Sequence, residues 1–178
     1  MSTRDIAAKE LLDLADVLAG RSAGRGRPKT IHLRRAISTA YYALFHEIVR
    51  QGAEMLVPGT SPQNKSRRNA ATRWIGHSDL RKLADDMGKE TGPLRSVVGA
   101  VHKDLKHLTS TFAHLQEQRE RADYAHDFEI DKPGALAVVD RAKDAMKRAR
   151  NLRQEGDPSH LMFLKLMIGA VKIARNRN

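Results

Sequence analysis

The 178-residue sequence contains no cysteine and only 4% aromatic residues. Without cysteine there are no disulfides, thiolate zinc sites, iron–sulfur clusters or cysteine nucleophiles. The shortage of aromatic residues means that a core has to be built mainly from Leu, Ile, Val, Met and Ala. Because a cysteine-free chain is typical of a reducing compartment, we expect a cytoplasmic protein.

Long uninterrupted apolar runs are also missing. The first ten residues carry Arg4, Asp5, Lys9 and Glu10, which is unlike a secretory signal. The most apolar segment, 161–174, is interrupted by two lysines. It is also shorter than the roughly 20 apolar residues that cross a bilayer. We therefore expect no contact with a membrane.

Acidic residues are too few to balance the basic ones: 21 Asp and Glu stand against 32 Lys and Arg, for a formal charge of +11. The excess is concentrated in residues 141–178, which hold ten basic and three acidic side chains. Such a region attracts polyanions, nucleic acid above all. The alternative is a solvated surface that keeps the protein soluble.

Strand-like alternation is absent, and nearly every periodic segment has a helical spacing. One example is the row Ile37, Tyr41, Leu44 and Ile48, which predicts a buried helix face. We expect an all-α, up-and-down bundle of five to six helices. The predicted longer helices are 5–19, 31–55, 94–118, 133–154 and 159–174, with two short helical pieces at 67–75 and 79–87, a basic linker at 21–30 and a loop at 58–65.

The same patterns suggest how the chain is organised. We expect an N-terminal helix and linker at 1–30, a helical bundle at 31–155 and an apolar C-terminal helix at 156–178. Because the last helix is apolar almost all round, it has to be covered on more than one side, within the bundle or by a second subunit.

The eight histidines do not have the spacing of a metal site. His102, His107 and His114 share a predicted helix, but their separations of five and seven differ from the spacing that brings two ligands together. A GxSxG nucleophile elbow and glycine-rich phosphate loops are missing too. We expect no metal and no cofactor.

The linker contains Gly-Arg-Gly-Arg-Pro-Lys at 24–29. This segment resembles the core of an AT-hook, in which arginines enter the narrow minor groove of A·T-rich DNA. It is one basis for an alternative function, DNA binding through the basic linker.

The chemically informative segment is 117–128, between two predicted helices. It contains Arg119, Arg121 and His126. An arginine can hold a phosphate and neutralise developing charge, and a histidine can move protons near neutral pH. With RNA the substrate supplies the attacking 2′-hydroxyl, so these residue types suffice for cleavage. Arginine–histidine pairs at this spacing also arise by chance.

The segment 33–46, Leu-Arg-Arg-Ala-Ile-Ser-Thr-Ala-Tyr-Tyr-Ala-Leu-Phe-His, closely resembles the long early helix of the HEPN family (higher eukaryotes and prokaryotes nucleotide-binding domain). Arg119 with Ala122, Asp123 and Tyr124 resembles the family's second hallmark, in the Ala-Asp-Tyr version found in prokaryotic members. The resemblance covers about residues 33–154.

The resemblance implies a helical bundle that forms a homodimer, with the arginine–histidine elements of two subunits meeting in one composite cleft. In active members that cleft is a metal-independent endoribonuclease. Motif matching places His126 at the histidine position and favours Arg119 over Arg121 at the arginine position. We also assign RNA or nucleotide binding to four arginines: Arg34, Arg35, Arg141 and Arg148.

The chain departs from active members, because Glu120 follows Arg119 where a polar Asn, Asp or His is common. Many members with Ala-Asp-Tyr resemble binding modules, so Asp123 and Tyr124 are assigned a structural role. His46 is assigned one too, as a buried, hydrogen-bonded histidine. Tyr41, Tyr42 and Phe45 are expected in the core. The alternative function is therefore a non-catalytic nucleotide-binding or interaction module, such as the partner of a small nucleotidyltransferase in a toxin–antitoxin-like pair.

Overall fold

The computed structural model describes residues 7–21 and 28–175, apart from the side chains of Pro93 and of residues 170–175. These residues form eight helices and no strand. The helices are α1 (Ala8–Leu18), α2 (Thr30–Leu56), α3 (Pro62–Thr72), α4 (His77–Gly88), α5 (Pro93–Val98), α6 (Lys103–Tyr124), α7 (Lys132–Glu155) and α8 (Pro158–Arg175). The predicted all-α class is confirmed.

Eight helices are more than the five to six that the sequence predicts, and part of the difference lies in the segment 94–118. A single helix was expected there, but α5 ends before Gly99, whose φ is +71°. Glycine adopts this left-handed conformation without steric cost, so it stops the helix. The chain becomes helical again at Lys103, and α6 then continues to Tyr124.

The predicted loop 58–65 is also too long, because α3 already begins at Pro62. The Ser61 hydroxyl accepts a hydrogen bond from the Asn64 backbone N–H at 3.1 Å. A serine N-cap followed by proline is a favourable helix start, since proline lacks the N–H that would otherwise need a partner. Local capping therefore outweighs the loop-like composition.

The chain divides into two compact units, each made of two separate stretches. Unit 1 comprises Met1–His46 and Thr111–Lys147, and unit 2 comprises Glu47–Ser110 and Arg148–Asn178. Helices α2, α6 and α7 contribute residues to both units. The division into 1–30, 31–155 and 156–178 stays a prediction.

Unit 1 contains the first part of the predicted α2 face. Ile37, Tyr41 and Leu44 are buried, as are Phe112 and Leu115 of α6. The rings of Tyr41 and Phe112 lie 5.6 Å apart between centroids, within the range of favourable aromatic pairs. This packing joins α2 to α6 and places the polar neighbours of both helices beside each other.

In unit 2, α8 starts with a side-chain cap and a proline. The Asp157 carboxylate accepts a hydrogen bond from the His160 backbone N–H at 2.8 Å, and Pro158 opens the helix. Phe163, Leu164 and Met167 are buried, whereas Leu161, Met162, Leu166 and Ile168 are half-buried. Over its described side chains, α8 thus has one fully covered face. None of the described helices has the length and apolar character needed to span a membrane.

Unit 2 contains a network of polar side chains around three buried residues, Glu47, Gln51 and His160. Glu47 is 1% exposed and forms ion pairs with Arg50 and Arg150 at 2.6 and 3.0 Å. The Gln51 amide donates to Glu47, so its oxygen accepts from the Nε2–H of His160 at 2.8 Å. These contacts keep Glu47 ionised: burial would raise its pKa, but the hydrogen bonds from Arg150, Arg50 and Gln51 lower it.

His160 predicts a specific dependence of stability on pH. Burial lowers its pKa from 6.5 to about 4, so between these values the unfolded chain binds more protons than the folded one. The free energy of unfolding should therefore fall by about 2 kcal/mol as the pH decreases from about 7 to about 5. Urea denaturation across this range measures it. The loss should be much smaller in His160→Leu, where the half-buried His46 still contributes, and persist in full in His32→Leu, which changes an exposed histidine. An equal loss in both variants would contradict the assignment.

Candidate functional site

An open cleft of about 650 Å³ lies in unit 1, between the first part of α2 and the C-terminal part of α6. We call it the arginine cleft, because three of its lining side chains are Arg34, Arg35 and Arg119. The full lining is Thr30, Ile31, Arg34, Arg35, Tyr42, Arg119, Ala122, Asp123 and Tyr124. Asp123 is the one acid among them.

Arg119 is held in a defined orientation at this cleft. Its Nη2 donates to the Tyr42 hydroxyl at 2.8 Å, and its Nε lies 2.9 Å from a carboxylate oxygen of Asp123. The guanidinium carbon is 5.5 and 5.6 Å from the ring centroids of Tyr42 and Tyr124, in the range of cation–π contacts. Burial alone would lower the pKa of Arg119, but the hydrogen bond to Tyr42 and the nearby Asp123 raise it, so the group stays charged.

Arg34 caps the C-terminus of α6. Its Nε and Nη2 donate to the carbonyl oxygens of Ala122 and Ala125 at 2.6 and 2.7 Å. The last carbonyls of a helix have no hydrogen-bond donor within the helix, and they carry the negative end of its dipole. A planar guanidinium supplies two donors and a positive charge at this end. Arg34 thus positions the end of α6, and it reaches the cleft as one of its lining residues.

Asp123 is tied to α2 as well as to Arg119. The buried Ser38 hydroxyl donates to Asp123 Oδ1 at 2.6 Å, while Oδ2 faces Arg119. Asp123 therefore links α2 to the C-terminal part of α6, and its assigned structural role stays a prediction.

The other two supporting residues differ in exposure. Tyr124 is 70% exposed and contributes its ring contact with Arg119. His46 is half-buried, with its ring 5.6 and 6.5 Å from the centroids of Phe45 and Tyr42, and burial lowers its pKa. A lowered pKa favours the neutral imidazole.

Arg121 and His126 lie outside the lining of the arginine cleft. Arg121 is exposed and stands 5.0 Å from the ring centroid of Phe128, and it lines a more open groove together with Arg119. His126 is exposed in the turn that follows α6. One copy of the chain therefore places Arg119 in the cleft without His126.

The remaining predicted binding residues are separate from this cleft. Arg141 is exposed on the unit 1 part of α7, whereas Arg148 belongs to unit 2 and pairs with Asp104. Lys143 pairs with Asp16 and Arg150 with Glu47. Part of the basic excess of 141–178 is therefore neutralised by ion pairs. The AT-hook-like residues 24–27 lie outside the described residues.

Ser38 was missed by the sequence analysis, and Tyr42 was placed in the core. Tyr41 and Phe45 are buried as predicted, but Tyr42 is half-buried and faces the cleft. Both site residues lie one turn apart on α2, beside the apolar row. A polar pair at this i, i+4 spacing could have marked the cleft-facing side.

No three acidic or histidine side chains among the described residues lie close enough together to form a metal site. Comparison of the chain with protein-family models, with curated proteins and with solved structures found no match.

The cap formed by Arg34 predicts that two neighbouring arginines differ in their effect on stability. Arg34→Lys should lower the free energy of unfolding by about 1–3 kcal/mol, because lysine lacks the planar fork that serves two carbonyls. Arg35→Lys should change it by less than about 0.5 kcal/mol, since Arg35 is exposed. Urea denaturation of both variants tests this, and equal losses would contradict the capping role.

Proposed function

We propose that this protein is a HEPN-like RNA-binding protein that cleaves RNA without a metal ion, at a composite site formed by two copies of the chain. The observation that carries the proposal is the fixed, charged guanidinium of Arg119 in an open cleft shared with Arg34 and Arg35. The resemblance of 33–46 and of the Arg119–Tyr124 element to the HEPN family supports the same function.

Arg119 has the geometry of a phosphate anchor. Its Nε and Nη2 sides face Asp123 and Tyr42, and among the described residues no side chain pairs with its Nη1. That nitrogen is free to donate to a phosphate oxygen. Because the neighbouring contacts hold the guanidinium before a ligand arrives, little side-chain entropy is lost on binding.

His126 is the proton-transfer group of the proposal. It removes the proton of the RNA 2′-hydroxyl, whose oxygen attacks the adjacent phosphorus, and the 5′-oxygen leaves with a proton from an acid. The products are a 2′,3′-cyclic phosphate and a 5′-hydroxyl. Arg119, with Arg121 beside it in the open groove, stabilises the charge on the phosphate.

The need for two copies follows from the position and number of these groups. His126 does not line the arginine cleft of its own chain. The reaction also requires both a base and an acid, and each chain supplies one histidine in this element. A homodimer would supply two copies of His126 and bring an exposed turn of one subunit to the cleft of the other.

The non-catalytic alternative is favoured by one specific observation. Arg119 is already engaged by Tyr42 and Asp123, as a structural arginine would be, while His126 is exposed in a turn. In that case the cleft binds a nucleotide, or docks a protein partner of the antitoxin type, and His126 has no chemical role.

Cleavage of RNA in the presence of EDTA distinguishes the two functions. The wild-type protein should cut, and His126→Ala should reduce the rate by a factor of about 100 or more, as expected for loss of a general acid or base. His32→Ala is the matched control, since His32 is also an exposed histidine of unit 1 and is not in the lining of the arginine cleft. A residual activity that is the same in all three proteins would indicate a contaminant and reject the catalytic function.

The composite site also predicts how the rate depends on protein concentration. Below the dissociation constant of the dimer, the cleavage rate per chain should rise in proportion to concentration, because the active species is the dimer. Sedimentation measured over the same range shows where the dimer forms. A rate per chain that stays constant where only monomer is present would contradict the composite site.

A further inference from the structure

We propose that unit 2 carries a second nucleic-acid contact surface, formed by the exposed side of α3 and the turn after it, which binds single-stranded RNA. We call it the α3 surface and define it by four exposed residues: Arg67, Ala70, Arg73 and Trp74. Arg67 and Arg73 hold phosphates, and a base stacks on the Trp74 indole. All four residues belong to unit 2, whereas the arginine cleft belongs to unit 1.

The first argument is charge. Residues 57–76 contain four lysines and arginines and no acidic residue. Arg67 and Arg73 are both exposed, and among the described residues neither has a carboxylate partner. This differs from α7, where Lys143, Arg148 and Arg150 pair with acids. Basic side chains without such partners are the ones that gain most from a phosphate backbone.

Arg68 helps to shape this surface without binding the ligand. It donates to the carbonyl oxygens of Val57 and Gly59, and so ties the preceding loop to α3. Its neighbour Arg67 is exposed and projects about 100° around the helix axis from Arg68. Arg67 and Ala70 lie about one turn apart on α3, and both are exposed.

The second argument is Trp74, the one tryptophan of the chain, which is 53% exposed. About half of the indole is in contact with solvent, so part of the ring is accessible to a ligand. Its position follows the last turn of α3, where its backbone N–H donates to Ala71 at 3.1 Å. Base stacking on an aromatic ring next to cationic side chains is the usual way of binding single-stranded nucleic acid.

The size of the adjoining apolar cavity argues against a protein ligand. Trp74 borders a cavity of about 10 Å³ with Leu56, Ile75 and Ile168 among its lining. This volume is about the minimum that admits one water molecule, so no side chain of a partner protein could be inserted as an anchor. A base that stacks on the indole face needs no cavity. Shape and charge therefore both favour nucleic acid.

The inference goes beyond the proposed function, because it places an RNA contact outside the arginine cleft and does not require cleavage. The experiment uses the full chain and an unstructured oligouridylate labelled with a fluorophore. Since Trp74 is the only tryptophan, its emission reports directly on this surface. Saturable quenching of Trp74 should parallel the binding measured by the anisotropy of the label.

Two sets of variants separate stacking from charge. Trp74→Leu should weaken binding by about fivefold or more, the loss expected when a base loses its aromatic platform. Arg67→Gln with Arg73→Gln should weaken binding and lower the slope of log affinity against log salt by about 1.4, for two phosphate contacts. Val97→Ala and Lys103→Gln, which change an exposed apolar and an exposed basic residue of unit 2, should have little effect.

The outcomes distinguish this surface from the arginine cleft. Quenching that persists in His126→Ala supports the inference even if that protein, and the wild type, fail to cleave RNA. Binding or cleavage without any change in Trp74 emission overturns it and leaves the proposed function intact. If Trp74 emission changes with protein concentration when no RNA is present, the inference is overturned, and the α3 surface is a contact between copies of the chain. Equal affinity for oligothymidylate would show that the surface recognises single strands in general, with no preference for the 2′-hydroxyl.

Discussion

The candidate site depends on how Arg34 holds the C-terminal end of α6. Its guanidinium donates to two carbonyls, of Ala122 and Ala125, that the helix itself cannot satisfy. Asp123, between them in sequence, is then within reach of Ser38 on α2 and of Arg119 one turn earlier. Without the cap, the last turn of α6 would be free to fray, and Arg119 would lose the partners that orient it. The orientation of Arg119, the proposed phosphate anchor, is thus a consequence of helix capping.

The net charge of the chain has a different meaning at different places. On α7 and at the end of α2, basic side chains balance Asp16, Asp104 and the buried Glu47, so they stabilise the fold. The lining of the arginine cleft contains one acid and three arginines, and the α3 surface contains no acidic residue. The excess that matters for an anionic ligand is therefore the part without acidic partners, and not the most basic stretch of sequence.

The two proposed contacts have complementary physical roles. The arginine cleft has an oriented cation, which suits the selection of one phosphate, whereas the α3 surface has an exposed ring and exposed cations, which suit a strand of any sequence. Catalysis at the cleft further requires a proton-transfer group that the cleft of a single chain does not contain. For this reason the proposed enzyme is a dimer, while the α3 surface needs only one copy.

The helical period and the Gly156-Asp157-Pro158 stop were sufficient to predict the all-α class and the bounds of α2 and α7 to within one or two residues. They were sufficient because these signals are local: an apolar row, a cap or a proline acts within one or two turns. Sequence also singled out Arg119, Asp123 and Tyr124. Only the tertiary structure decided that Tyr42 faces the cleft, that Arg34 caps α6 and that His126 lies outside the cleft lining. Those outcomes depend on contacts between residues up to 91 positions apart, and no local pattern records which distant group will satisfy a carbonyl or orient a guanidinium.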